Sequence, residues 1–172
     1  MWLEMNKIHI SGDEFSKAGK ALFLCQKFER TCKEIIMWVT LSKSLEEKQF
    51  DFLSKGHIDS VDKLLQLYLG TSINNFFKCF TLNEKNKKIL TDAKNSRNFI
   101  CHEIMNDFIF LHNGRNEVVN QFNDRLFFHI QNLARGDYLV SRWSYEFYEK
   151  ESGYFFDEKK YIKEIETWID NK

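Results

Sequence analysis

Arg97 and His102, with Asn98 beside the arginine, are the side chains in this sequence best suited to act together on a substrate. An arginine stays charged and presents a planar fork of donors that grips phosphate oxygens in two places. An imidazole titrates near neutrality and can take up or release a proton. Side by side they suit chemistry at phosphorus, where one oxygen attacks, another leaves and negative charge builds between them. Neither role calls for a metal. His9, His57, His112 and His129 have no partners at ligand or triad spacing and are assigned no chemistry. Cys25, Cys32, Cys79 and Cys101 form no CxxC pair, so neither a zinc site nor a disulfide framework follows from them, and reduced, buried thiols are expected.

The elements that must position these groups read as helices. The 172 residues contain no proline and seven glycines, so continuous helices with short connections are expected, in a single domain. Phe15, Ala18, Leu22, Cys25, Cys32, Ile36 and Val39 recur at helical steps from Asp13 to about Leu41. Glu29 interrupts that stripe and Phe28 covers for it. Shorter helices follow over Leu45 to Leu53, over Asp59 to Leu69 with Gly70 as its end, and from Thr71 or Ser72 to Phe80. Asn83 caps a long helix that reaches about Phe110 before a turn at His112-Asn113-Gly114. Val119, Phe122, Leu126, Ile130 and Leu133 mark the next helix, which Arg135-Gly136-Asp137 breaks before another from Tyr138 to Tyr148. A terminal helix over Glu158 to Ile169 places Tyr161, Ile162, Ile165, Trp168 and Ile169 on one face.

On an ideal helix Arg97 and His102 are about 500° of rotation apart, which leaves them roughly 140° from each other around the axis. They cannot share one face there. Asn98 and His102 do share one, while Arg97 follows Ala93, Ile100 and Ile104, so the arginine must reach round. A second copy of the helix across a two-fold axis would gather two such pairs in one groove.

The chain has 25 basic and 25 acidic residues, so no global field draws it to nucleic acid or an anionic membrane. Any such contact must be local. From Lys78 to Arg97 six basic residues face two acidic ones, and Lys85, Lys87, Lys88 and Lys94 are the candidates to hold a nucleic-acid backbone, against the plainer reading of a solvated helix face. Seventeen phenylalanines exceed the needs of a lone small core and suggest cover by a partner. No basic leader runs into an apolar stretch and no uncharged run approaches a membrane span, so a cytoplasmic protein without membrane contact is expected.

The segment Ser96-Arg97-Asn98-Phe99-Ile100-Cys101-His102-Glu103 resembles the Arg-x(4 to 6)-His signature of HEPN domains, in which a polar residue commonly follows the arginine. The resemblance covers about residues 13 to 135 and implies an all-α, antiparallel helical bundle, with 136 to 172 as a helical extension. It implies a homodimeric endoribonuclease without cofactor or metal. Attack by the RNA's own 2′-hydroxyl would give a 2′,3′-cyclic phosphate and a 5′-hydroxyl. His102 would move the proton, Arg97 would bind the phosphate, and Asn98 would orient either. Defence, toxin-antitoxin or RNA-processing settings follow, with an antitoxin or regulatory protein as a further partner. Toxins of this family that are silenced by nucleotidyltransferase antitoxins carry tyrosine two residues after the histidine; Ile104 stands there, which sets this chain outside that subgroup. A non-catalytic helical scaffold that binds protein or RNA is the other outcome the resemblance allows. Arg142, Trp143 and Tyr145 could stack on bases, although aromatics at helical spacing are more often core.

Overall fold

The structure, a computed structural model, describes residues 12–46, 69–80, 82–104, 116–149 and 157–170, with single positions at 59, 63, 66 and 106. Five α-helices account for nearly all of them: α1 (Gly12–Glu46), α2 (Leu69–Cys79), α3 (Glu84–Asn98), α4 (Asn116–Glu149) and α5 (Glu158–Asp170). A π-helical turn, Phe99–Glu103, continues α3 without a break. No strand occurs among the described residues, and none of their helices is long and apolar enough to cross a membrane. The expected helix at Leu45 to Leu53, most of that at Asp59 to Leu69 and the turn at His112 to Gly114 lie outside the described residues.

The long helices alternate in direction. Lys17 sits by Phe127 and Lys27 by Asp137, so α1 and α4 run the same way with a matched rise. Ala93 faces Gly136 and Ser96 faces His129, so α3 runs against α4; Gln131 meets Glu166 and Asp137 meets Tyr161, so α5 does too. The result is an up-down-up-down helical bundle, with α2 packed on α1 and α3. Its core holds Phe28, Cys32, Ile36, Phe76, Leu90, Ile100, Leu126, Ile130, Leu133 and Val140.

Two boundaries differ from the sequence expectation. Gly70, expected to end a helix, lies in the first turn of α2. Arg135-Gly136-Asp137 does not break α4, which runs through it for 34 residues. A mid-helix glycine costs about 1 kcal/mol relative to alanine, but here it lets two helices meet. A Cβ on Gly136 would stand 2.3 Å from Cβ of Ala93 and 3.3 Å from the Phe28 ring. Asp137, fully buried, accepts from Lys27 Nζ at 2.6 Å and from the Tyr161 hydroxyl, tying α4 to α1 and α5. Tertiary contacts thus turn a local breaker into a crossing point.

Along α1, Ala18, Cys25, Cys32, Ile36 and Val39 of the expected stripe are buried, with Phe28 at 0% exposure covering for Glu29. Phe15 and Leu22 are instead exposed, because the buried face passes through Ala21 and Leu24. Phe23 stands edge-on to Trp168 of α5, both largely exposed. Trp143 stacks on Phe80 and packs by Phe76 against the core, and Arg142 pairs with Glu146 one turn on. The core reading of Trp143 therefore holds.

Candidate active site

Asn83 caps α3 as its type suggests: its side chain accepts from the Asn86 backbone N–H at 2.8 Å. From there α3 is regular until Asn98. The π turn begins at Phe99, and the Ile104 N–H reaches back to the carbonyl of Phe99, five residues away rather than four. Such a turn takes in one extra residue, and single π turns are frequent at functional sites. Phe99 and Ile100, adjacent in sequence, are both buried by it. Phe99 stacks on His129 of α4 with ring centroids 4.0 Å apart, and the Arg125 guanidinium lies over the Phe99 ring, 4.9 Å from its centroid. His129 Nδ1 is 3.1 Å from the Ser96 hydroxyl, so this histidine, assigned no chemistry, braces both ends of the segment that holds Arg97.

The π turn overturns the expectation that Arg97 and His102 lie on different faces. When the hydrogen bond spans five residues, side chains five apart come round to the same side. Arg97 Nη1 is 3.4 Å from Nε2 of His102 and 3.2 Å from Oδ1 of Asn98, which accepts from it. A guanidinium carries only donors, so the imidazole nitrogen facing it accepts, and the neutral ring carries its proton on Nδ1. His102 and Asn98 are exposed, whereas the Arg97 side chain is mostly covered.

The covering comes from α1. Arg97 Nη2 donates to Oε2 of Glu29 at 2.7 Å, and Oε1 of Glu29 accepts from Lys33 at 2.9 Å. Burial would raise the Glu29 carboxyl; the hydrogen bond from Lys33 and the charges of Arg97 and Lys33 outweigh it and hold the group below the ordinary carboxylate value. Arg97 Nε is buried and meets no acceptor. Glu29 is the residue that sequence reasoning missed. Its signal was present, since a carboxylate interrupting an apolar stripe one turn before a lysine needs a buried cation to justify it.

Of the four lysines expected to hold a nucleic-acid backbone, Lys87 and Lys94 fall on the helical stripe that leads to Asn98, and Lys87 is engaged by Glu84 at 2.8 Å. Lys85 and Lys88 are exposed on other sides of α3. Cys25 and Cys32 are buried as expected; Cys101, inside the π turn, is only half-buried, and the side chain of Cys79 lies outside the described residues. Among the described residues no three His, Cys, Asp or Glu side chains gather as a metal site.

No protein family, curated protein or solved structure matches this chain. The geometry therefore speaks for itself. An exposed imidazole and an anchored guanidinium, within reach of each other and flanked by an exposed amide, can bind an anionic group and exchange a proton with it.

Proposed function

We propose that this chain is a metal-independent endoribonuclease of the HEPN type. The observation that carries the reading is the 3.4 Å approach of Arg97 Nη1 to His102 Nε2 at an exposed π turn. The Nε2 lone pair that accepts from Arg97 is the one that would take the proton of the attacking 2′-hydroxyl. As RNA enters, the Nη1 donor turns from the imidazole to a non-bridging phosphate oxygen. It there stabilises the charge that grows on phosphorus, while Glu29 holds the other arm. The nucleophile's oxygen bonds to phosphorus, the 5′-oxygen leaves with a proton, and a 2′,3′-cyclic phosphate remains. A second copy would supply the second histidine, so that one ring accepts and the other donates; a homodimer with a composite groove completes the site. Lys87 and Lys94 extend it along the RNA backbone. Regulation by an antitoxin or other restraining protein, in a defence or RNA-processing role, fits an enzyme of this kind.

A second reading has its own observation. Glu29 already neutralises Arg97, as it would in a scaffold that binds RNA or protein without cleaving. Incubating purified protein with single-stranded RNA in excess EDTA separates the two. Cleavage that leaves cyclic phosphate ends, and that disappears in Arg97→Ala and in His102→Ala while both keep their helical circular dichroism and dimer mass, supports the enzyme. Cleavage that persists in both variants, or RNA that binds and stays intact, rejects it.

A further inference from the structure

Cys101 lies inside the π turn, one helical turn beyond Arg97 and next to His102. Cys25 lies on α1, one helical turn before Glu29. Where α1 crosses the π turn the chains run in opposite directions, so the step that brings Glu29 onto Arg97 also brings Cys25 onto Cys101. The two thiols share a hydrogen bond. Cys25 is sealed in the core, whereas Cys101 is half-buried and open to small solutes.

We propose that Cys25 and Cys101 form a thiol pair which a hydroperoxide converts to a disulfide, and that this disulfide switches off the Arg97–His102 site. The effect on cleavage rests on the ribonuclease reading above; the cross-link itself does not. The two sulfurs have unlike roles. The hydrogen bond from Cys25, aided by the Arg97 charge against burial and Glu29, pulls the Cys101 thiol down to about 7. The same hydrogen bond and burial push Cys25 up, so it stays a thiol. A partly exposed thiolate beside a cation is the form that peroxides attack.

The thiolate sulfur of Cys101 displaces hydroxide from the peroxide O–O bond, and the hydroxide leaves as water once protonated. The sulfur is oxidised by two electrons to a sulfenic acid and the peroxide is reduced. The Cys25 sulfur then attacks the sulfenic sulfur, the S–O bond breaks, and water departs with the Cys25 proton. Two thiols and one hydrogen peroxide give one disulfide and two waters. Closing a covalent bond where a hydrogen bond stood draws the π turn toward α1. That turn carries His102 to Arg97, and a displacement near 1 Å at a catalytic group is enough to lower a rate about 100-fold.

The test treats the full chain with a small excess of hydrogen peroxide, blocks free thiols with N-ethylmaleimide and maps peptides without reduction. The expected result is one new species joining the Cys25 and Cys101 peptides, reversed by dithiothreitol. RNA cleavage in EDTA should fall at least about tenfold and return on reduction. Cys25→Ala should cleave RNA before oxidation and, after peroxide, hold Cys101 as a sulfenic acid that dimedone traps. Thiols that both remain alkylatable, a link from Cys101 to any other cysteine, or linked protein that cleaves at the original rate each overturn the proposal. If untreated protein cleaves no RNA, the ribonuclease reading fails, and the peptide map still decides whether the thiol pair exists.

Discussion

Glu29 Oε2 and Arg97 Nη2 stand 2.7 Å apart although 68 residues separate them in the chain. Both side chains are about one-fifth exposed, so the pair is screened less than a surface ion pair. It fixes one arm of the guanidinium and leaves Nη1 to face His102 and Asn98. Glu29→Gln keeps the shape and removes the charge. Steady-state cleavage should show kcat lowered about 10- to 100-fold, with KM nearly unchanged and circular dichroism retained. An unaltered kcat would leave Glu29 a merely structural partner.

The same carboxyl makes stability pH-dependent. Its folded value lies below that of the unfolded chain, about 4.3, so its contribution is present above the unfolded value and lost as pH falls through the folded one. The melting-temperature advantage of the native protein over Glu29→Gln should therefore be full near pH 6 and shrink steadily below about pH 4. A difference that grows on acidification contradicts the pairing.

Gly136 offers a test of packing. Gly136→Ala gains helix propensity but drives a methyl into Ala93, 2.3 Å away, so urea unfolding should report a net loss of about 1–3 kcal/mol. Ala93→Gly in the same chain removes the first collision and should recover part of the loss, leaving the Phe28 contact at 3.3 Å. Strict additivity of the two single changes would show that these residues do not meet.

Asp137 is the fully buried acceptor for Lys27 and Tyr161. Asp137→Ala strands both donors, but Lys27 is 45% exposed and can turn to water, so the expected loss is about 2 kcal/mol rather than the larger cost of an unpaired buried charge. Limited proteolysis should then release α5 first, because this cluster ties the first turn of α5 to both α1 and α4. Unchanged cleavage within α5 would remove Asp137 from that role.

Alkylation of Cys101 by iodoacetamide should be half-maximal near pH 7, below the ordinary thiol value of about 8.5. The groups that set it are Cys25 and Glu29 on α1 and Arg97 on α3. Cys25→Ala, which removes the hydrogen-bond donor, should move the midpoint up most; Arg97→Ala should move it up less. A midpoint indifferent to both would mean that the thiol does not feel its neighbours.

Residue types and their spacing were enough to establish a helical protein, the Asn83 cap, the terminal helix at Glu158 and most of the buried stripe of α1, because capping and amphipathic periodicity are local properties written within a few residues. They also singled out Arg97, Asn98 and His102. They could not place those residues correctly, since an ideal helix sets Arg97 and His102 on different faces. Only packing decides otherwise: Phe99 against His129, Ile100 in the core and Ser96 against α4 hold one turn in π form, and the pair meets. Arg135-Gly136-Asp137 looked like a break for the same reason that Glu29 looked like a blemish on an apolar stripe. Each residue is unfavourable where it stands until another helix arrives, and the partners that compensate it, Ala93, Lys27, Tyr161 and Arg97, lie too far along the chain for any local pattern to reveal.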